Sequence, residues 1–103
     1  MHQPSRIIIS RTDSLGDVVL TLPAAGFLKK LYPSVFIYFL GRTYSKPLIQ
    51  TCENIDAFLN WDEISKLTES EQVKQIQSLH CDTIVHVFLF NLNYVHIIYI
   101  YFF

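Results

Sequence analysis

A chain of 103 residues has room for one packed domain, burying roughly 60–70% of its unfolded surface, and excludes two lobes. Eight basic and nine acidic residues leave a formal charge of -1, so no field of one sign argues for nucleic acid or for an anionic membrane surface. Half of the residues are apolar, which suits a globular chain, and two cysteines, Cys52 and Cys81, without C-x-x-C spacing exclude a disulfide scaffold and fit a reducing compartment.

The N-terminus MHQPSRIIIS carries too short an apolar run for a secretory signal and no small-residue cleavage site follows, so the chain is expected to fold in the cytoplasm. Arg6–Ser10 is a continuous β-branched run, the pattern of a strand buried on both faces of a parallel sheet. A polar loop from Arg11 to Asp17 follows. Val18, Val19, Leu22, Ala25 and Leu28 then recur at helical spacing, with Lys29 and Lys30 near the negative end of the dipole. Pro23 is the discordant residue: the helix kinks there, or one turn ends and another begins with proline.

Val35–Leu40 reads as a second strand ended by Gly41. Arg42 to Lys46 reads as a loop, Pro47 as the start of a short helix, and Ala57–Trp61 as a third strand. Thr68-Glu69-Ser70-Glu71 opens a polar helix with Val73, Ile76 and Leu79 on one side, and Asp82–Phe88 is a fourth strand. Strands alternating with helices imply right-handed crossovers and a parallel α/β sheet of the Rossmann-like kind with helices on both faces. The strand order 3-2-1-4 places the first strand in the interior.

From Thr83 to Phe103 no residue is charged when the histidines are neutral. That window meets the length test for a membrane span, but Asn91, Asn93, His86 and His96 are costly in hydrocarbon, no basic residue flanks it, and its aromatic and β-branched composition suits a strand. The division expected is residues 1–88 as the Rossmann-like unit and 89–103 as an apolar tail foreign to it, with the exposed stickiness such a segment brings.

The run RTDSLGDVVLTLPA, preceded by a strand and followed by a helix and then FLGR, resembles the amino-terminal signature of glycosyltransferase family 9, the heptosyltransferases of lipopolysaccharide assembly. The matching positions are Arg11, Thr12, Ser14, Gly16, Asp17, Leu22 and Pro23. A looser likeness runs through the second strand, the Asn54-Ile55-Asp56 turn and DTIVHVF, about the first 88 residues.

The resemblance implies a GT-B enzyme of two Rossmann-like domains facing across a cleft. The first takes the acceptor sugar on nascent lipopolysaccharide; the second, a missing carboxyl-terminal partner here, holds ADP-heptose. It implies inverting heptose transfer to an inner-core acceptor and a place in the cytoplasm, at the inner membrane's cytoplasmic face; no cofactor is expected. A fragment of this kind is expected to be inactive alone.

Asp17 matches the family's base, and inverting transfer needs one carboxylate to take the proton of the attacking hydroxyl. The alternative is a helix cap, which an aspartate beside glycine commonly provides. Arg11 could reach an anionic group of the acceptor, or bridge to Asp13 or Asp17. Thr12, Ser14 and the backbone at Gly16 complete the candidate acceptor site; G-x-G-x-x-G is absent, which disfavours dinucleotides. Arg42, Thr43, Tyr44, Ser45 and Lys46 form either a second contact for a charged acceptor or a solvated loop. His80 and Cys81 have no second ligand pair, so a zinc site is not expected. Two other readings stay open: a stand-alone α/β binding module completed by a partner chain, and a domain tethered to a membrane by its tail.

Overall fold

The computed structural model describes residues 3–90 and 95–102, with side-chain detail as far as His86. Strand β1 (Arg6–Ser10) is followed by helix α1 (Leu15–Leu31), β2 (Phe36–Gly41), a 3-10 turn (Thr43–Ser45), α2 (Lys46–Ile49), β3 (Ala57–Asn60), α3 (Trp61–Ile64), α4 (Glu69–Ser78), β4 (Thr83–Phe90) and β5 (Val95–Phe102). The sheet order is β3-β2-β1-β4-β5. The first four strands are parallel, in the order the alternation predicts, and β5 lies antiparallel on β4.

Strand β1 pairs with β2 from Arg6↔Phe36 to Ser10↔Leu40 and with β4 from Ile7↔Thr83 to Ser10↔His86, so both its edges are used. Both its faces are covered too, because Ile7, Ile8 and Ile9 are all buried. On one face Ile7 and Ile9 join Ile37, Phe39 and Val85, and Val18, Ala25 and Ile49 from the helices close over them. On the other face lie Ile8 and Tyr38, with Arg6 beside them. The Arg6 guanidinium sits 5.2 Å from the Phe36 ring centre and 5.5 Å from that of Tyr38, and its Nε donates to the Leu79 carbonyl at 2.8 Å, tying the end of α4 to this second face. The chain is an α/β, Rossmann-like sheet with helices on both sides.

Helix α1 runs unbroken through Pro23. The missing proline N–H and the ring clash cost about 3 kcal/mol in a helix interior; burial of Val18 and Thr21 before it and Ala25 after it holds the segment in one piece. Pro23 itself lies on the exposed side. Three other expectations are adjusted. Part of the Arg42–Lys46 loop is the 3-10 turn, the short helix begins one residue before Pro47, and Trp61 starts α3 rather than ending β3, since the Asn60 side chain accepts the Asp62 N–H at 2.9 Å and caps a helix there. Thr68 caps α4 as its spelling suggests, accepting the Glu71 N–H at 3.3 Å. His80, at the left-handed position that ends this helix, has φ 54° and is exposed.

Residue 88 falls inside β4, which continues to Phe90. Asn91 and Asn93, cited above against a membrane span, lie outside the described residues. No helix among the described residues is long and apolar enough to cross a membrane.

Asp56 joins three elements. Its Oδ2 accepts Lys29 Nζ at 2.7 Å and the Ile37 N–H at 2.8 Å, while the same Nζ donates to the Val35 carbonyl at 2.7 Å. Partial burial pushes the Asp56 carboxyl up, but the Lys29 ammonium and the Ile37 amide outweigh it and hold it below the ordinary 3.8. A carboxyl depressed by folding stabilises the native state above its unfolded value, and that contribution disappears as pH falls through the folded value. Asp56→Asn is therefore expected to cost about 1 kcal/mol at pH 7, solvent screening included. The deficit should shrink as pH falls below the ordinary 3.8 and through the lowered folded value, as urea unfolding at successively lower pH will report.

Candidate functional site

Parallel strands send all their following loops to one sheet edge, so the segments after β1, β2 and β3 converge there. The Arg11 N–H donates to the Leu40 carbonyl at 3.1 Å, which carries the β1 ladder one residue further before the chain turns. The Arg11 side chain then folds inward and is 1% exposed. Its Nη2 lies 3.2 Å from Asp17 Oδ1 and 3.3 Å from Asp13 Oδ2. These are ionic contacts without hydrogen-bond alignment, and neither Nε nor Nη1 has a hydrogen-bond partner among the described residues.

Ser14, not Asp17, caps α1. Its hydroxyl accepts the Asp17 N–H at 3.4 Å and donates to Asp17 Oδ2 at 2.9 Å. Asp17 therefore sits in the first turn with one carboxylate oxygen against Ser14 and the other against Arg11. Its side chain keeps 25% of its surface open, so the carboxylate is oriented yet reachable. The helix dipole favours negative charge there. Thr12 is half-buried, whereas Ser14 and Gly16 are exposed, and a Cβ at Gly16 would meet nothing within 4 Å.

The loop after β2 locks onto this one: the Tyr44 hydroxyl donates to the Asp13 carbonyl. Behind Tyr44, Asp62 takes the Thr43 N–H at 2.8 Å and Arg42 Nε at 3.1 Å. The Thr43 amide, with Arg42 assisting, holds the Asp62 carboxyl below its ordinary range. Ser45 is buried against the Arg42 backbone, and Gly41 is enforced by packing, since a Cβ there would come within 2.8 Å of Ile49 Cδ1. Of the second loop, Thr43, Tyr44 and Lys46 keep exposed surface, Lys46 with its ammonium 5.8 Å from the Phe58 ring centre.

The structure thus links Arg11, Asp13, Ser14 and Asp17 in one chain of contacts, Asp13 to Arg11, Arg11 to Asp17 and Asp17 to Ser14, and leaves Thr12 and Gly16 beside them. It joins Tyr44 of the second loop to them and adds Asp62, Ser10 and His86, which sequence reasoning did not place at the site. His86 Nδ1 lies 3.0 Å from Ser10 Oγ because β4 pairs with β1 in that register, and only strand pairing decides it. No group of three or more His, Cys, Asp or Glu side chains among the described residues could hold a metal ion. Burial, with Asp82 adding to it and Arg6 opposing, pushes the Cys81 thiol up to about 11, so it stays protonated and weakly nucleophilic at neutral pH. Compared with protein-family models, with curated proteins and with solved structures, the chain matches none.

The burial asymmetry between Arg11 and its acids has a measurable consequence. Arg11→Met removes a charge that is poorly hydrogen-bonded and leaves two acids able to turn to solvent, so unfolding should shift by less than about 1 kcal/mol. The double substitution Asp13→Asn with Asp17→Asn strands the guanidinium and should cost about 3–5 kcal/mol. Chemical denaturation of the two variants side by side tests the ordering.

Proposed function

We propose that this chain provides the acceptor side of an inverting glycosyl transfer of the family 9 kind, moving heptose from ADP-heptose to an inner-core lipopolysaccharide acceptor. Asp17 is the base in this reading. The acceptor hydroxyl oxygen bonds to the anomeric carbon, the bond from that carbon to the diphosphate breaks, ADP departs, and the hydroxyl proton passes to Asp17. A carboxylate is a weak base toward a resting alcohol, but the hydroxyl acidifies as the new bond forms, so the transfer is late.

The observation that carries the reading is the oriented yet open carboxylate of Asp17 at the ligand-facing edge of a parallel sheet, fixed between Ser14 Oγ at 2.9 Å and Arg11 Nη2 at 3.2 Å. Arg11 is a positioning residue here, being too buried to meet an acceptor, so Ser14, Thr12 and the Gly16 backbone would make the acceptor contacts. The donor sugar belongs to a second Rossmann-like domain, for which no residue of this chain is assigned. On this reading the protein works in the cytoplasm, at the inner face of the inner membrane where the acceptor is built.

Mixed with the donor domain of a family 9 enzyme, ADP-heptose and inner-core acceptor, the chain should support transfer, and without that domain it should give none. Asp17→Asn is expected to lower turnover by about 10²–10⁴-fold with a stability change below about 1 kcal/mol. Turnover that survives the substitution makes Asp17 a helix-start residue only. Gly16→Ala, which has open space, is expected to raise stability by about 0.5–1 kcal/mol and to raise the acceptor KM, as a methyl group there obstructs close approach to the backbone.

A further inference from the structure

Helix α1 is apolar on the side it buries and apolar on the side it shows. Leu15, Val19, Pro23, Phe27 and Leu31 form a row spaced by four along its outer surface, with Leu20 beside it. Leu20 is 67% exposed, Phe27 62%, and Leu15, Val19 and Leu31 about half. An amphipathic surface helix carries polar residues on that side, and a helix apolar all round is one that is buried. Six exposed apolar side chains thus adjoin on one helix face, and contiguous apolar surface of this kind is where interactions form.

We propose that this row docks against the same row of a second copy of the chain, antiparallel, about a two-fold axis at Pro23. The residue spacing is self-complementary about that point, which an isologous contact requires. Eight residues to either side, Leu15 meets Leu31 of the other copy. Four residues to either side, Val19 meets Phe27.

Charge complementarity selects this occupant and this direction. The acids of the segment, Asp13 and Asp17, are at its start, and its lysines, Lys29 and Lys30, at its end. Lys29 is committed to Asp56, but Lys30 is exposed with no ion pair among the described residues. Antiparallel docking sets Lys30 opposite Gly16 of the other copy, about one helical turn from Asp13, whose side chain is 46% exposed, and it opposes the two helix dipoles. A parallel pair would stack like charges. An anionic lipid surface would find only Lys30 on this face. The patch falls short of the roughly 800 Å² per partner of a stable interface, so the dimer is weak and concentration-dependent.

Sedimentation velocity of the full chain from about 10 to 500 µM should show a monomer–dimer equilibrium with a dissociation constant in the micromolar range or weaker. Phe27→Glu and Leu20→Glu, at exposed positions, should each weaken it at least about tenfold. Lys30→Asp and Asp13→Lys should each weaken it, and the two together should restore it, with circular dichroism confirming that each variant is folded. A chain monomeric throughout, an association unchanged by Phe27→Glu, or a double reversal no better than Lys30→Asp alone overturns the proposal. So does binding to phosphatidylglycerol vesicles that Phe27→Glu abolishes in a chain that forms no dimer, which assigns the face to lipid. If Asp13→Lys does not fold, the two glutamate variants decide.

Discussion

The structure depends on the burial of β1 from both edges and both faces at once. Three consecutive isoleucines can be excluded from water together only where strands flank them and side chains cover both sheet faces, because successive residues of a strand point to opposite sides. Pairing with β2 and β4 supplies the edges, α1 covers Ile7 and Ile9, and the Arg6–Tyr38 layer with the end of α4 covers the face of Ile8. Around this strand β2 and β4 lie as parallel neighbours, with α1 over one face and the end of α4 tied to the other.

A second constraint follows where β1 ends. Arg11 leaves the ladder still bonded to Leu40 and buries a guanidinium at the start of α1. A buried positive charge is tolerated when opposite charge lies against it, and Asp13 and Asp17 provide that charge while Ser14 caps the helix. Stability and site geometry therefore share the same atoms: the contact that compensates Arg11 also orients the Asp17 carboxylate. Tyr44 extends the arrangement to the neighbouring loop, since its hydroxyl donates to the Asp13 carbonyl. The outer face of α1 has no comparable partner among the described residues, and this separates it from the rest of the molecule.

Much of this organisation is legible in residue order. Arg6–Ser10 reads as a doubly buried strand because its residues are β-branched without alternation, and the observed limits agree. The strand alternation carries the sheet order, and Thr68 announces the start of α4. Boundaries were less legible where side-chain capping competes with apolar patterning: Asn60 turns Trp61 from strand into helix, and Ser14 takes the capping role that a Gly-Asp pair suggests for Asp17. At Pro23, burial of the residues on either side overrides a local penalty that the sequence states plainly.

The sequence by itself determined the class of fold, the central place of β1 and the polar segment Arg11–Asp17 after it, because these follow from periodicity and connection rules that act along the chain. Only the tertiary structure decided that Arg11 is buried and turned to two carboxylates, that His86 stands beside Ser10, that Tyr44 and Asp62 brace the loops, and that α1 keeps an apolar outer face. Each of these is a contact between residues distant in the chain or a choice between two faces of one element. Strand register and crossover side set such contacts, and neither is written in the neighbours of any single residue.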